Sequence, residues 1–266
     1  MKEFTDRSTI ERLRFFDANC SLGVSDLTVG AAPTGVCSLI TEMDRLGIAE
    51  ALVYHASAAG YSPSFGNAKL AEELGGNQRL HGCWVVMPHY TGELQNPLSL
   101  VRNMLAAGIR AARLIPRRHR FSLSAWSVDE LLSVLADHRV PVFLDFGRSH
   151  WAEEVVDYDQ VARICTGFPF LPLILVREGI GSTRYLYPLL EKFANLFIEV
   201  SYYQAAEGLA DICQRFGPSH LLFGTGLPEY AAGPAIAMLH YAQISFEEKR
   251  LIAGDSFRRL LQAVRE

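Results

Sequence analysis

The sequence predicts an α/β protein that folds as one (β/α)8 barrel, a single domain over residues 1–266. Eight short apolar runs, rich in β-branched and aromatic residues, alternate with longer amphipathic segments, and no linker, low-complexity tract or repeat interrupts them. Continuous apolar runs are typical of parallel strands that are covered on both faces. Eight strand–helix units are the number that closes a barrel, because βαβ crossovers are right-handed. The predicted strands are residues 15–20, 50–55, 80–88, 111–116, 140–146, 171–176, 196–201 and 221–226.

The segments between the strands carry apolar residues at helical spacing. Pro97 suits the first turn of one helix, where proline costs no backbone hydrogen bond. Ser245 and Glu248 have the spacing of a capping box at the start of the closing helix. The predicted helices are residues 36–46, 97–106, 128–138, 185–193, 233–242 and 246–264.

The composition argues against two classes of partner. A formal net charge of −4 provides no basic surface for nucleic acid. No apolar run approaches the roughly 20 residues that span a bilayer. The charged N-terminal segment MKEFTDRSTIERLRFF lacks the apolar core of a signal peptide, so a cytoplasmic protein is predicted. Five dispersed cysteines without a C-x-x-C pair predict reduced thiols rather than a disulfide framework.

Functional residues are expected at the carboxyl ends of the strands, where (β/α)8 enzymes place their active sites. The predicted strand ends supply carboxylates, histidines and arginines to one ring. Such a ring predicts either a site for a small anionic substrate or ligand, or a set of ion pairs. The candidates are Asn19, Cys20, Ser21, His55, His89, Arg113, residues 117–120 (RRHR), Asp145, Arg177, Glu178, Glu199, Ser201, Thr225, Gly226 and Glu229.

Motifs near both ends of the chain carry a resemblance to a known family. Asp17 and Gly23 match the first and last residues of an Asp-x-His-x-His-x-Gly pattern, and residues 222–225 with Pro228 match Leu-Phe-Gly-Thr-Asp-x-Pro. Residues 254–261 are similar to Gly-x-Asn-Ala-x-Arg-Leu-Leu. Through these motifs the chain resembles the amidohydrolase-related family of metal-dependent hydrolases and decarboxylases. The resemblance extends over almost the whole chain. The resemblance implies a TIM barrel and a hydrolase.

The chain departs from that family at all five customary metal or base positions. The two first-strand histidines fall on Asn19 and Ser21, and the fifth-strand histidine falls near Asp145. The sixth-strand histidine falls near Arg177, and the eighth-strand aspartate falls on Gly226. Zinc binds thiolate, imidazole or carboxylate, and Asp145 alone of the five offers such a group. A divergent member without the usual metal centre is therefore predicted, with no cofactor.

The first functional hypothesis is a metal-independent hydrolase or lyase on a remodelled barrel. Asp145 or Glu178 would act as the base. Arg177 would hold a substrate carboxylate or a developing oxyanion. His55 or His89 would handle the leaving group.

The second hypothesis is a catalytically inactive barrel that binds a small anion or serves as a subunit of an assembly, because a fold does not guarantee an activity. Asp145 and Arg177 would then form a structural ion pair. For a bound small molecule, the predicted binding residues are Asn19, Ser21, His89 and Arg113. The apolar segment 231–241 also leaves a homo-oligomer open.

A relocated metal site is the third hypothesis. Its ligand types would be suitable, although no tight H-x-H or H-x-x-x-H spacing supports it. The candidate ligands are Cys20, His55, His89, Asp145 and Glu199.

Overall fold

The computed structural model describes residues 11–25, 32–147, 156–205 and 207–266, so the first ten residues of the charged N-terminal segment lie outside it. Eight parallel strands form one sheet in the order of the chain, which confirms the predicted (β/α)8 barrel. The strands are β1 (Phe15–Leu22), β2 (Ile48–His55), β3 (Leu80–Val85), β4 (Ala111–Leu114), β5 (Val142–Leu144), β6 (Leu173–Leu175), β7 (Leu196–Glu199) and β8 (Leu221–Leu222).

The sheet closes between its first and last strands. Ala18 N donates to Phe223 O at 2.9 Å, and Gly226 N donates to Asn19 O at the same distance. These bonds join β1 to the chain that continues β8. The carboxyl ends of the strands therefore surround one mouth, which is the position predicted for the functional residues.

The helices lie between the strands and cover the outside of the barrel. Pro97 begins its helix and Ser245 and Glu248 form the predicted capping box, with Glu248 N donating to Ser245 Oγ at 3.2 Å. Among the described residues the α-helices are Val36–Leu46, Ala56–Gly60, Pro63–Leu74, Pro97–Ala106, Pro116–His119, Ala125–Asp137, Tyr158–Gly167, Thr183–Lys192, Gly208–Phe216, Gly233–Tyr241, Phe246–Arg250 and Ser256–Gln262.

The prediction of one uninterrupted closing helix is wrong. A π-helical turn, Leu251–Asp255, separates its two halves, and the backbone of Gly254 leaves the helical region there. The helix crosses β1 very closely at this point, since a Cβ on Gly254 would lie 2.9 Å from the Cβ of Phe16. The kink therefore accompanies the tight contact between the last helix and the first strand.

The barrel interior has an apolar end and a polar end. At the apolar end the Phe257 ring packs edge-on against Phe16 and Phe143, with ring centroids 4.9 and 5.7 Å apart. Near the carboxyl ends of the strands the buried side chains become polar or charged. These are Asp17, Asn19, Ser21, Arg113, Asp145, Glu199, Ser201 and Thr225.

The structure also bears on membrane-spanning helices and on the cysteines. No helix of the described residues is long and apolar enough to cross a membrane. All five cysteines are free thiols, as predicted, and four of them are buried.

The two helices that follow β2 meet at Gly66, and this contact provides a stability test. A Cβ at residue 66 would lie 2.1 Å from the backbone nitrogen of Ala58. We expect Gly66→Ala to lower the free energy of unfolding by about 2 kcal/mol, because overpacking a rigid contact costs roughly 1–3 kcal/mol. Gly167→Ala is the matched control, since a Cβ there meets nothing within 4 Å. Equal urea-unfolding midpoints for the two variants would contradict this packing.

Candidate functional site

A β-bulge in β1 sets the direction of the side chains at its tip. Asp17 pairs with Ala51 of β2 and Cys20 pairs with Val53, so β1 contains one extra residue between these pairs. A bulge of this kind reverses the alternation of side chains along a strand. Asn19 consequently faces the barrel interior.

Arg113 is the most deeply buried cation of the mouth, with 1% of its surface exposed. Its Nε and Nη2 donate to Asp145 Oδ2 at 3.1 and 2.8 Å. Both Nη atoms also donate to Asn19 Oδ1 at 3.1 Å. The guanidinium carbon lies 4.3 Å from the centroid of the Tyr54 ring, a cation–π contact. All three nitrogens of this guanidinium therefore donate to an acceptor, and an aromatic ring packs against the group.

Arg177 approaches Asp145 from the next strand. Its Nε donates to Asp145 Oδ1 at 3.2 Å, and its Nη1 donates to the Tyr230 hydroxyl at 3.1 Å. Nη2 lies 2.9 Å from Glu229 Oε2. Burial disfavours the cation, but Asp145, the largest of the opposing influences, raises the pKa of Arg177. The two guanidinium charges are thus matched by the carboxylates of Asp145 and Glu229.

Asp145 is held ionised by this arrangement. Burial would raise the pKa of its carboxyl group, but the charges of Arg113 and Arg177 outweigh burial and lower the pKa to about 2. Gly147 N also donates to Asp145 Oδ1 at 2.8 Å. A carboxylate with so low a pKa, and with its oxygens already occupied, is a poor proton acceptor near neutral pH.

Glu199, unlike Asp145, has a raised pKa. It is fully buried and accepts hydrogen bonds from Asn19 Nδ2 at 2.8 Å, Ser201 N at 2.6 Å and Ser201 Oγ at 2.9 Å. Burial raises its pKa from 4.5 to about 7, and the bonds from Ser201 offset part of that effect. Glu199 and Asp145 are linked through Asn19 and Arg113.

Asp17 joins β1 to β8 beneath this ring. Its carboxylate accepts from Thr225 N at 2.9 Å and also from the Thr225 hydroxyl. Cys20 Sγ lies 3.9 Å from Thr225 Oγ1. Burial raises the pKa of Asp17. The Asp17–Thr225 pair holds the barrel seam together.

The structure brings part of the predicted site together. Asn19, Arg113, Asp145 and Arg177 form one hydrogen-bonded network, and Ser21 is buried at the same strand tip. The predicted Asp145–Arg177 contact is present. The functional roles assigned to these residues stay predictions.

His55, by contrast, lies on the helical side of the barrel wall. Its Nδ1 accepts from Ser57 N at 3.1 Å and so caps the short helix that follows β2. Its ring lies beneath Gly23, where a Cβ would be 2.8 Å from Cε1. Burial lowers the pKa of His55, so the ring is favoured in its neutral form. The neighbouring Tyr54 is the β2 residue that reaches the mouth.

Glu178 and His89 also make their described contacts outside the network of Asp145 and Arg177. The Glu178 carboxylate accepts from the Tyr158 hydroxyl at 2.9 Å, and burial raises its pKa. His89 begins a short 3-10 helix and packs on Tyr90, with ring centroids 4.6 Å apart. Neither residue has a described hydrogen bond to Asp145 or Arg177, so the catalytic and binding roles predicted for them gain no support from geometry.

The mouth does not fit a divalent metal at the family positions. Asn19 and Ser21 offer neutral oxygens, Asp145 is occupied by two arginines, and Arg177 is itself a cation. Gly226 has a left-handed φ of 74°, and a Cβ there would lie 2.4 Å from Cδ2 of Tyr230. The Tyr230 ring therefore fills the space where an aspartate side chain would begin.

The relocated metal site is not assembled either. Within residues 11–25, 32–147, 156–205 and 207–266, no three His, Cys, Asp or Glu side chains are grouped so as to hold a metal ion. Cys20 lies beyond the bulge that turns Asn19 inward, and His55 faces the helices.

Sequence reasoning missed Tyr54 and Tyr230. Tyr54 directly precedes His55, so the signal was the alternation of β2 itself, but an apolar strand does not reveal which set of residues faces inward. Tyr230 follows the eighth-strand motif by two residues, in a turn where Tyr230 N donates to Gly226 O at 3.1 Å. No family pattern in the sequence marked it.

Comparisons with known proteins identify the fold. No family model matches the chain, and no curated protein sequence matches it. An uncharacterized TIM-barrel protein from Bordetella bronchiseptica superposes with a TM-score of 0.73 at 16% identity, covering 94% of this chain and 98% of that one. The chain has the TIM-barrel fold.

Two decarboxylases share this TIM barrel. The 5-carboxyvanillate decarboxylase from Sphingomonas paucimobilis has a TM-score of 0.69 at 14% identity, over 94% of this chain and 99% of that chain. A dihydroxybenzoic acid decarboxylase from Polaromonas, solved with manganese and the inhibitor 2-nitroresorcinol, has the same TM-score and identity over 93% and 96%. At such identities the likeness concerns the fold.

The raised pKa of Glu199 predicts a pH-dependent stability. Because the folded protein binds this proton more tightly than the unfolded chain, the stability contributed by Glu199 is complete below pH 4.5 and is lost as the pH rises through about 7. The loss is on the order of 3 kcal/mol, at about 1.4 kcal/mol per pH unit.

Urea unfolding at several pH values measures this effect. Glu199→Gln cannot ionise, so we expect its free energy of unfolding to fall less than that of the wild type between about pH 5 and pH 8. Glu247→Gln, on the surface helix Phe246–Arg250, is the control and is expected to follow the wild type. Parallel profiles for Glu199→Gln and wild type would show that Glu199 does not titrate in this way.

Proposed function

We propose that the protein binds a small anionic molecule at the mouth of the TIM barrel, with Arg177 as its anchor and without the metal centre of the amidohydrolase-related family. The observation that carries this proposal is the arrangement of Arg113, Asp145 and Arg177. Two buried guanidinium groups share one carboxylate in the ring where that family would hold its metal. An arginine can bind a carboxylate directly, through fixed N–H donors.

Binding is better supported than hydrolysis by the described residues. The Asp145 carboxylate, with its pKa of about 2, is already bonded to both arginines and is unsuited to accept a proton. His55 lies outside the mouth as a helix cap. TIM-barrel enzymes place their active sites at the carboxyl ends of the strands, which supports the mouth as a place for a small ligand. A decarboxylase of the same fold is solved with an inhibitor and with manganese.

A metal-independent hydrolase is the second candidate, and Glu199 favours it. A carboxyl group with a pKa of about 7 in the ring of strand ends has the value expected of a general acid or base. A panel of carboxylate-bearing esters and lactones tests it. Turnover by the wild type that is abolished in Glu199→Gln supports the hydrolase, and no turnover of any substrate favours the binding protein. Cytoplasmic location and self-association stay predictions from the sequence.

Calorimetric titration with benzoate, acetate and sulfate tests the proposed binding. We expect at least one anion to bind the wild type, and Arg177→Gln to weaken that binding by about tenfold or more, which corresponds to 1.4 kcal/mol. The matched control is Arg215→Gln, which removes an exposed guanidinium that is paired with Asp211 on an outer helix. No binding by any of the anions, or equal binding in Arg177→Gln, would overturn the proposal.

A further inference from the structure

The contact between Arg177 and Glu229 differs from the other contacts in the mouth. Glu229 Oε2 lies 2.9 Å from Arg177 Nη2, which is ion-pair distance, yet this oxygen makes no hydrogen bond within the described residues. Arg177 Nε and Nη1, in contrast, donate to Asp145 and Tyr230 in hydrogen-bond geometry. The Nη2 edge of Arg177 is therefore neutralised in charge but poorly matched in direction.

Arg177 and Glu229 are also the least buried members of the ion-pair network. The side chains of Arg177 and Glu229 are 10% and 6% exposed, against 1% and 4% for Arg113 and Asp145. Glu229 belongs to the turn after β8, where Glu229 N donates to Gly226 O at 3.0 Å. The turn therefore fixes the backbone of Glu229 independently of the contact between its side chain and Arg177.

We propose that Glu229 occupies, on Arg177, the position that a small monocarboxylate takes when it binds. The inference rests on the proposed function and specifies the ligand and its mode of entry. The carboxylate of the ligand displaces that of Glu229 and forms the directional hydrogen bond to Nη2 that Glu229 does not make. Glu229 thereby keeps Arg177 neutralised until a ligand arrives.

Charge balance selects a monocarboxylate over a dianion. Exchanging one carboxylate for another leaves the number of buried charges unchanged, whereas sulfate or phosphate would add a second negative charge beside Asp145. An uncompensated buried charge is costly. Glu199 lies on the same ring and Asp17 lies beneath it, and burial already raises the pKa of both carboxyl groups, so this region tolerates additional negative charge poorly. Charge balance at the Nη2 edge of Arg177 is therefore kept by a ligand with a single negative charge, such as a monocarboxylate.

Benzoate titrations of the wild type and Glu229→Gln test the displacement. Because glutamine no longer competes as an anion, we expect benzoate to bind Glu229→Gln about tenfold more tightly or better, an effect of about 1.4 kcal/mol. The substitution is expected to raise the affinity for sulfate less than the affinity for benzoate, and to leave the affinity for neutral benzamide unchanged. Glu247→Gln is the matched control and is expected to bind benzoate as the wild type does.

The outcomes separate this inference from the proposed function. If benzoate binds the wild type and Glu229→Gln equally, the displacement is overturned. The anion site still stands in that case, provided that Arg177→Gln weakens benzoate binding. If benzoate and the other anions bind neither protein, both proposals fail. Should Glu229→Gln prove unfolded by circular dichroism, Glu229→Asp retracts the carboxylate by one methylene and is expected to tighten benzoate binding in the same direction.

A crystal structure of the wild type with benzoate provides a second readout. We expect the benzoate carboxylate on Arg177 Nη2 and the Glu229 carboxylate turned away from it. Benzoate bound while Glu229 stays on Nη2 would overturn the displacement.

Discussion

The mouth of the barrel depends on one carboxylate, Asp145, shared between two buried arginines. Burying any of these three charges alone would cost several kcal/mol, and removing one partner from such a set typically costs about 3–5 kcal/mol. The set is tolerable because Arg113 and Arg177 both donate to Asp145, while Asn19 and Glu229 complete the guanidinium surroundings. Residues from the ends of β1, β4, β5 and β6 and from the turn after β8 therefore meet in a single ion cluster.

Two glycines of the eighth-strand motif leave space for side chains that border this cluster. A Cβ on Gly224 would lie 2.1 Å from Glu199 Oε1, and one on Gly226 would meet the Tyr230 ring. The eighth-strand motif thus keeps its backbone but gives its side-chain space to groups from β7 and from the following turn. A shared TIM-barrel fold does not by itself fix the chemistry at the mouth.

Much of the fold could be predicted from the sequence, because eight apolar runs separated by helical periodicity leave few topologies open. The ring of strand ends followed from the same argument and includes Arg113, Asp145 and Arg177. Which side chains point into the barrel and which point towards the helices could not be predicted. An apolar strand such as β2 gives no alternation to distinguish His55 from Tyr54, and the bulge in β1 that turns Asn19 inward has no sequence mark. The kink at Gly254 likewise depends on a contact with Phe16 that is distant in sequence.

In the proposed function, the Arg113–Asp145–Arg177 cluster takes the place of a metal centre. The most direct test is the metal content of protein produced in medium supplied with manganese and zinc, purified without chelator and analysed by mass spectrometry. We expect far less than one ion of either metal per chain. One equivalent of manganese or zinc, lost on substitution of Asp145, would contradict it.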